Sequence, residues 1–330
     1  MGSARSRAWS HSRQRLYDSC PRAYFFQYFP WGEPEQDQIW FLRRVKTPAM
    51  LAGTIVHDAI TMALRGIKES GHVVTDLHVP AVARYDLIVR ESERIADIVC
   101  RGKRPPDNGD VLLHHLRQGP SECMESAIRG GIEDALRAFE ASHAWAVLRA
   151  SNPKGWLNIL TDTDERPHFL ASRELGFESA HGLRVYAVYD LALRHDGVFT
   201  LVDWKTGKRT PEAVAAARKQ CAAYALWALG HPKLKRAHLR VHPYFLTANQ
   251  PWQPEPIDDD EIEAARQTIE KHDALESSIV EHRKGPDGKF AFFALREDFP
   301  ARPRPRLCDG CKFKELCPDA KAMEIRELDA

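Results

Sequence analysis

Hydrophobic and polar positions along the 330 residues fall into two regimes. Up to about residue 150, apolar side chains recur at three- and four-residue intervals, the period of a helix with one buried face. In RLYDSCPRAYFFQYF (15–29), Leu16, Tyr17, Cys20, Tyr24 and Tyr28 keep that spacing and predict a helix with an aromatic face. Residues 51–65 predict a second helix, with Val56, Ile60, Ala63 and Leu64 in one stripe and His57 at its edge. Further helical stretches run from about 80 to 150, interrupted at RGKRPPDNGD (101–110).

From about residue 170 the pattern shortens. Residues 172–178 alternate as a strand does, and 183–194 and 198–205 are β-branched and aromatic runs. Between them stands Asp196-Gly197, a strong hairpin signal. A helix is expected after Pro211, closing at Gly230, then a strand at 237–247 and an amphipathic helix at 258–283. Pro alternates with Arg in 301–307, which predicts an extended segment. No internal repeat is visible.

Composition changes this picture only at a few points. A hydrophobic content of 43% is too high for a disordered chain, and no uninterrupted apolar run is long enough to span a bilayer. No membrane association is expected. The N-terminal segment lacks the apolar core of a secretory signal, so a cytoplasmic protein is expected. Lys+Arg at 47 against Asp+Glu at 46 excludes a uniformly basic surface. Seven cysteines, an odd number, argue against a disulfide framework. Three of them crowd the C-terminus as Cys308-x2-Cys311-x5-Cys317, followed by Pro318, and that bunching calls for a metal.

The hairpin carries the chemistry. With a two-residue turn at Asp196-Gly197, residues whose numbers sum to 393 face each other, and Asp190 and Asp203 are such a pair. Their Cβ atoms are expected roughly 4.5–5.5 Å apart. Lys205 shares their face through the period-2 pleat. Two facing carboxylates in an apolar sheet repel unless a proton or a cation sits between them, and Mg²⁺ or Mn²⁺ suits an all-oxygen site. Such an ion can activate water and stabilise charge on a phosphodiester, and a neighbouring lysine can assist. The alternative is a salt-bridged pair on a solvated hairpin face.

Asp190 with Asp203-Trp204-Lys205-Thr206-Gly207 resembles the core of the PD-(D/E)XK nuclease superfamily, and further marks resemble its RecB-like branch. Gly53 to His57 is similar to a Gly-x-x-x-His helix, and Gln220 to Tyr224 to a Gln-x-x-x-Tyr helix. Glu174, with Glu178 as a neighbouring candidate, corresponds to a glutamate on the preceding strand. One cysteine near the N-terminus, Cys20, with Cys308, Cys311 and Cys317, is similar to the iron–sulfur signature of the AddB nuclease and of cluster-bearing CRISPR adaptation nucleases. One departure is Ala187, where the family usually has glycine three residues before the first aspartate.

The resemblance implies an α/β fold: a restriction-endonuclease-like mixed sheet flanked by helices, with a helical insert and a C-terminal iron–sulfur lobe. The expected division is 1–65 with the first cysteine and the motif histidine, 66–165 as helical insert, 166–300 as nuclease core and 301–330 as cluster lobe. It implies that His57, Asp190, Asp203 and the Trp204 carbonyl hold Mg²⁺ or Mn²⁺. Lys205 would position or activate water, and Gln220 and Tyr224 would contact substrate or brace the lysine. The four cysteines would hold a [4Fe-4S] cluster that staples the chain ends, with zinc as the competing occupant. Cys100, Cys123 and Cys221 are expected to pack as buried hydrophobes.

The implied substrate is DNA, with Arg5, Arg7, Arg13, Arg15, Arg302, Arg304 and Arg306 as local basic patches or as solubilising termini. A helicase, recombination or CRISPR/defence protein is the implied partner. Two other classes stay open: a non-catalytic DNA-binding or assembly subunit on the same scaffold, and a zinc-stabilised nucleic-acid-binding module.

Overall fold

The computed structural model describes residues 7–159, 169–171, 179, 182–195, 197–230, 238–284 and 290–328. The chain opens with strand β1 (Ala8–Trp9), helices α1 (His11–Ser19), α2 (Pro21–Tyr28) and α3 (Gln36–Leu42), and strand β2 (Val45–Lys46). Helices α4 (Pro48–Ser70) and α5 (His78–Cys100) follow, then strand β3 (Val111–Leu112) and helices α6 (Leu113–Arg117), α7 (Glu122–Glu140) and α8 (His143–Ala150). Next come strands β4 (Trp156–Ile159), β5 (Phe169–Ala171), β6 (Arg184–Tyr186), β7 (Leu191–His195) and β8 (Val198–Lys205). Helix α9 (Pro211–Leu229), strand β9 (Leu239–Phe245), helix α10 (Asp259–Ile279), the hairpin β10 (Val280–Lys284) and β11 (Phe290–Ala294), and helices α11 (Pro305–Asp309) and α12 (Pro318–Leu328) complete it.

Local chemistry explains most boundaries. Thr47 caps α4 through its side chain and Pro48 opens it, while Gly71 takes the left-handed conformation (φ 69°) that ends it. Asp258 and Glu261 form a reciprocal capping box at the start of α10. The single helix expected across 15–29 is instead two, because Cys20 is extended (φ −159°, ψ 106°) ahead of Pro21. Proline has no N–H to donate, and its ring disfavours helical backbone in the residue before it. The extended segment expected at 301–307 likewise ends early, since Pro305 opens α11.

The run 183–194 is not one strand. Its first half, β6, pairs with β1 and β5, while its second half, β7, enters a four-stranded sheet of order β4-β7-β8-β9. The chain changes sheets between them, at Ala187–Asp190. In the four-stranded sheet β7 pairs antiparallel with β8 in the register expected of the hairpin, from Leu191↔Val202 to His195↔Val198. Gly197 takes the positive φ (77°) such a turn demands. Strand β8 then runs parallel to β9, with α9 as the crossover between them.

Strand β8 is buried on both faces. Val202 and Trp204 join a core built with α4, α5 and α7, and Phe139 of α7 lies against Trp204 at 5.3 Å between ring centres. Leu201 faces the opposite core with Ala222, Ala225 and Ala228 of α9, whose small side chains let that helix lie close on the sheet. A third core gathers Tyr24, Phe25, Phe26 and Phe29 around Phe299 and Phe313, and brings the two ends of the chain together. These aromatic side chains are packing, not an exposed stacking surface. No helix among the described residues is long and apolar enough to cross a membrane.

Candidate active site

The end of β8 delivers Asp203 and Lys205 to the face toward α9, and the bend before β7 delivers Asp190. Both carboxylates are buried, Asp190 at 8% and Asp203 at 4% exposure. Asp190 does not continue the hairpin ladder. Its N–H donates to the Val202 carbonyl (3.1 Å), one residue out of register, which releases its side chain from strict cross-strand geometry.

That side chain is held by two groups. The Trp204 N–H donates to Asp190 Oδ2 at 2.7 Å, and His57 Nδ1 lies 2.7 Å from Oδ1. His57 comes from α4, which approaches the loop after β8. A Cβ added at Gly53, one turn earlier, would meet Thr206 Oγ1 at 3.7 Å, ordinary contact, so packing alone does not require the glycine.

Asp203 has partners of its own. Its Oδ2 is ion-paired with Lys205 and its Oδ1 accepts from Gln220 Nε2 at 3.3 Å. Lys205 Nζ donates to Gln220 Oε1 at 2.7 Å, and Gln220 Nε2 also donates to the Tyr224 hydroxyl. These contacts fix the glutamine amide, since only its oxygen can accept from an ammonium and only its nitrogen can serve a carboxylate. Gln220 and Tyr224 are one turn apart on α9, so the same helix face reads both ends of the ion pair.

The electrostatics follow from burial. Loss of water, and then the charge of Asp190, push the Asp203 carboxyl up to about 6, against the pull of Lys205 and His57. Burial lowers the pKa of the His57 imidazole, but the adjacent Asp190 outweighs it and the net direction is upward. Burial and the nearby Asp203 raise the Tyr224 hydroxyl well above its usual value, so it stays protonated.

Each acid is thus neutralised by a base of its own. His57, Asp190 and Asp203 are not gathered within 4.8 Å of one another. Their chemistry nonetheless fits a hard divalent ion: two buried carboxylates and an imidazole, with Asp203 driven toward its protonated form by burial and then by the second acid.

Glu174 and Glu178 lie outside the described residues. Cys20, Cys308, Cys311 and Cys317 all line one cavity of about 970 Å³ between the chain ends, with Phe26 and Phe313 among its walls. No three of their sulfurs lie within 4.8 Å of one another. Burial, and then the other thiols, push Cys311 up to about 11. The expectation that the remaining three cysteines are buried holds for Cys221 alone. Cys100 ends α5 and Cys123 sits in the first turn of α7, and both are exposed.

The basic termini are also partly spent inside the protein. Arg7 is buried and bonds Asp273 and the Asp273 carbonyl, and Arg13 stacks on Tyr28 and reaches Tyr24. Both serve a buried cluster around Glu276, whose carboxyl is pushed up by burial but brought down to about 2 by His272 and Arg13. Arg5 lies outside the described residues.

The spacing of motifs gave no hint of His11. It opens α1 and lines a cavity of about 250 Å³ together with Ser10, Tyr186, Gln220 and Tyr224. Burial, and then Arg15 and Lys205, lower its imidazole to about 4, so it is neutral at physiological pH. Only tertiary folding joins residue 11 to residue 220.

A family model described as the PD-(D/E)XK nuclease superfamily matches residues 8–318. The chain belongs to the PD-(D/E)XK nuclease superfamily. Members of the PD-(D/E)XK superfamily are typically metal-dependent nucleases, and the superfamily implies metal-dependent hydrolysis of phosphodiester bonds. The mixed α/β architecture is consistent with the PD-(D/E)XK fold. No curated relative matches the chain.

The raised Asp203 pKa has a signed consequence. The native state holds this proton to a higher pH than the unfolded chain does. Stability is therefore lost as pH rises from the ordinary value of 3.8 to about 6. A divalent ion that needs the ionised pair opposes that loss. The thermal stabilisation given by Mn²⁺ is expected to be small near about pH 5 and close to full above about pH 7. Asp203→Asn should remove both the pH dependence and the metal effect. Differential scanning fluorimetry reads it, and a Mn²⁺ shift of equal size at both pH values counts against the assignment.

Proposed function

We propose that the protein is a metal-dependent DNA nuclease of the RecB-like branch, acting on DNA ends or single strands in recombination, CRISPR adaptation or a mobile-element or defence setting. The observation that carries the reading is the placement of Asp190 and Asp203. They are buried together at the sheet end, with Lys205 held beside them by Gln220. A solvated salt bridge, the plainer account of an Asp-x-Lys strand, does not need two buried acids.

In this reading His57, Asp190, Asp203 and the Trp204 carbonyl hold Mg²⁺ or Mn²⁺. Bound there, the ion supplies Lewis acidity to the phosphodiester and acidifies a water. The protein's own groups prepare the rest. The Trp204 N–H on Asp190 Oδ2 fixes the plane of that carboxylate. Gln220 Oε1 holds the Lys205 ammonium at Nζ, where it can orient the attacking water or offset charge on the phosphate. Tyr224, protonated and buried, braces Gln220 from the following turn. Exposed Arg304 and Arg306, rather than Arg7 and Arg13, remain to meet the DNA backbone.

We extend the reading to the four cysteines, as ligands of a [4Fe-4S] cluster joining the chain ends. Its support is the shared cavity and the order and spacing of Cys20, Cys308, Cys311 and Cys317. A single zinc ion would need its thiolates about 3.8 Å apart, given a Zn–S bond near 2.3 Å, closer than these sulfurs stand as a group. Anaerobically purified protein should be brown, with broad absorbance near roughly 400 nm that is lost in Cys311→Ala. A colourless protein carrying stoichiometric zinc on these cysteines would refute the cluster.

The nuclease itself is tested on end-labelled linear and circular DNA, single- and double-stranded, with Mn²⁺. The parent should cut. Lys205→Ala should lower the rate by about 10²–10⁴-fold, the usual worth of a positioned acid–base group, and Asp203→Ala should abolish cutting, both with unchanged circular dichroism. Equal cutting by the variants would sink the assignment. DNA binding without cutting by the parent would leave the non-catalytic subunit in its place.

A further inference from the structure

A second group of ligand-type side chains converges on α6 and α7, and none of its members belongs to the acidic site or lines the cysteine cavity. His114 and His115 are consecutive on α6, and Glu125 stands in the first turn of α7. One ligand atom from each of the three lies within 4.8 Å of the other two. His115 Nε2 is 3.0 Å from Glu125 Oε1, and His114 Nε2 is 3.9 Å from the same oxygen. Ligands around a tetrahedral ion with bonds of about 2.0–2.1 Å sit about 3.3 Å apart. The observed spacings bracket that value.

His115 has a full explanation without any ion. The Ser92 hydroxyl, which accepts from the Leu112 N–H, lies 2.7 Å from His115 Nδ1, and Glu125 takes the other nitrogen. His114 has none. Its side chain is 5% exposed, its Nδ1 has no hydrogen-bond partner among the described residues, and its Nε2 has only Glu125, 3.9 Å away and beyond hydrogen-bond distance. It lies edge-on to His115, with ring centres 4.3 Å apart. A buried imidazole with one nitrogen unpartnered and the other only loosely paired is unfavourable, and such groups call for a reason. Leu113, His114 and His115 are all buried, so α6 is enclosed on successive positions and neither imidazole is a surface group.

We propose that His114, His115 and Glu125 form a site for a transition-metal ion of the zinc type, separate from the nuclease centre and from the cysteine cavity. Two imidazoles and a carboxylate favour such an ion over Mg²⁺ or Ca²⁺. Ser92 is the outer partner that orients His115 Nε2 toward the ion. The ion ties α6 to α7. It also bears on the C-terminal cysteine loop, because α6 ends in Arg117. That guanidinium donates to the Asp309 and Cys311 carbonyls at 2.6 and 2.7 Å and pairs with Glu315 at 2.6 Å. The site thus anchors the arginine that holds Cys311 in place.

The test uses full-length protein stripped with chelator, reloaded with Zn²⁺, desalted and assayed for zinc by mass spectrometry. His114→Ala and Glu125→Gln should each carry about one equivalent less zinc per chain than the parent. Metal on the cysteines is told apart by the thiolate charge transfer it shows with Co²⁺. With Co²⁺ in place of Zn²⁺, the lost equivalent should show tetrahedral d–d bands without thiolate charge transfer. Glu125→Gln keeps an acceptor for His115, so it remains informative if His114→Ala does not fold. Equal zinc in the parent and the folded variants would overturn the proposal. These readouts do not involve cleavage, so they stand apart from the nuclease assignment.

Discussion

Two carboxylates buried side by side set the terms for everything around them. Asp190 and Asp203 sit where β7 and β8 emerge between two apolar cores, so neither can be solvated as a surface acid is. Each needs a fixed partner, and the fold supplies one from each flanking helix: His57 from α4, and Lys205 steadied by Gln220 from α9. The backbone takes part as well, through the Trp204 N–H. The packing of α4 on one face and α9 on the other thus decides the electrostatics at the sheet end. That environment raises the proton affinity of Asp203, through burial first and the charge of Asp190 second.

A second constraint is closure of the chain on itself. Aromatic rings of α2 pack with Phe299 and Phe313, and Arg22 donates to the Phe299 carbonyl while Arg302 donates to that of Asp18. Cys20 stands at the break that Pro21 sets between α1 and α2, lining one cavity with the three later cysteines. The near-zero net charge hides how the arginines are used. Arg7 and Arg13 neutralise acids inside the protein, so a count of basic residues at the termini overstates the surface offered to a phosphate backbone.

How much of this was legible depended on the range of the interaction. The hairpin register could be read because a Gly turn and a two-residue period are local. Asp190 and Asp203 as partners followed from it, though the slip of Asp190 out of the ladder did not. Residues 183–194 read as one strand because every local preference there is for strand. The change of sheet at 187–190 comes from tertiary pairing with β1 and β5. The break at Cys20 was written in Pro21, but the aromatic spacing across it masked the signal. His11 beside Gln220, and the Glu276 cluster, join residues more than 200 positions apart and leave no periodic trace.

Asp190 and Asp203 are proposed to act as one site for one divalent ion. A double-mutant cycle on Mn²⁺ affinity tests it most directly, using the parent, Asp190→Asn, Asp203→Asn and the double variant, with bound Mn²⁺ followed by electron paramagnetic resonance. If the two acids share one ion, either single change removes most of the tight binding and the double variant loses little more, a strongly non-additive pair. Strictly additive losses, or tight binding that survives both changes, would contradict it.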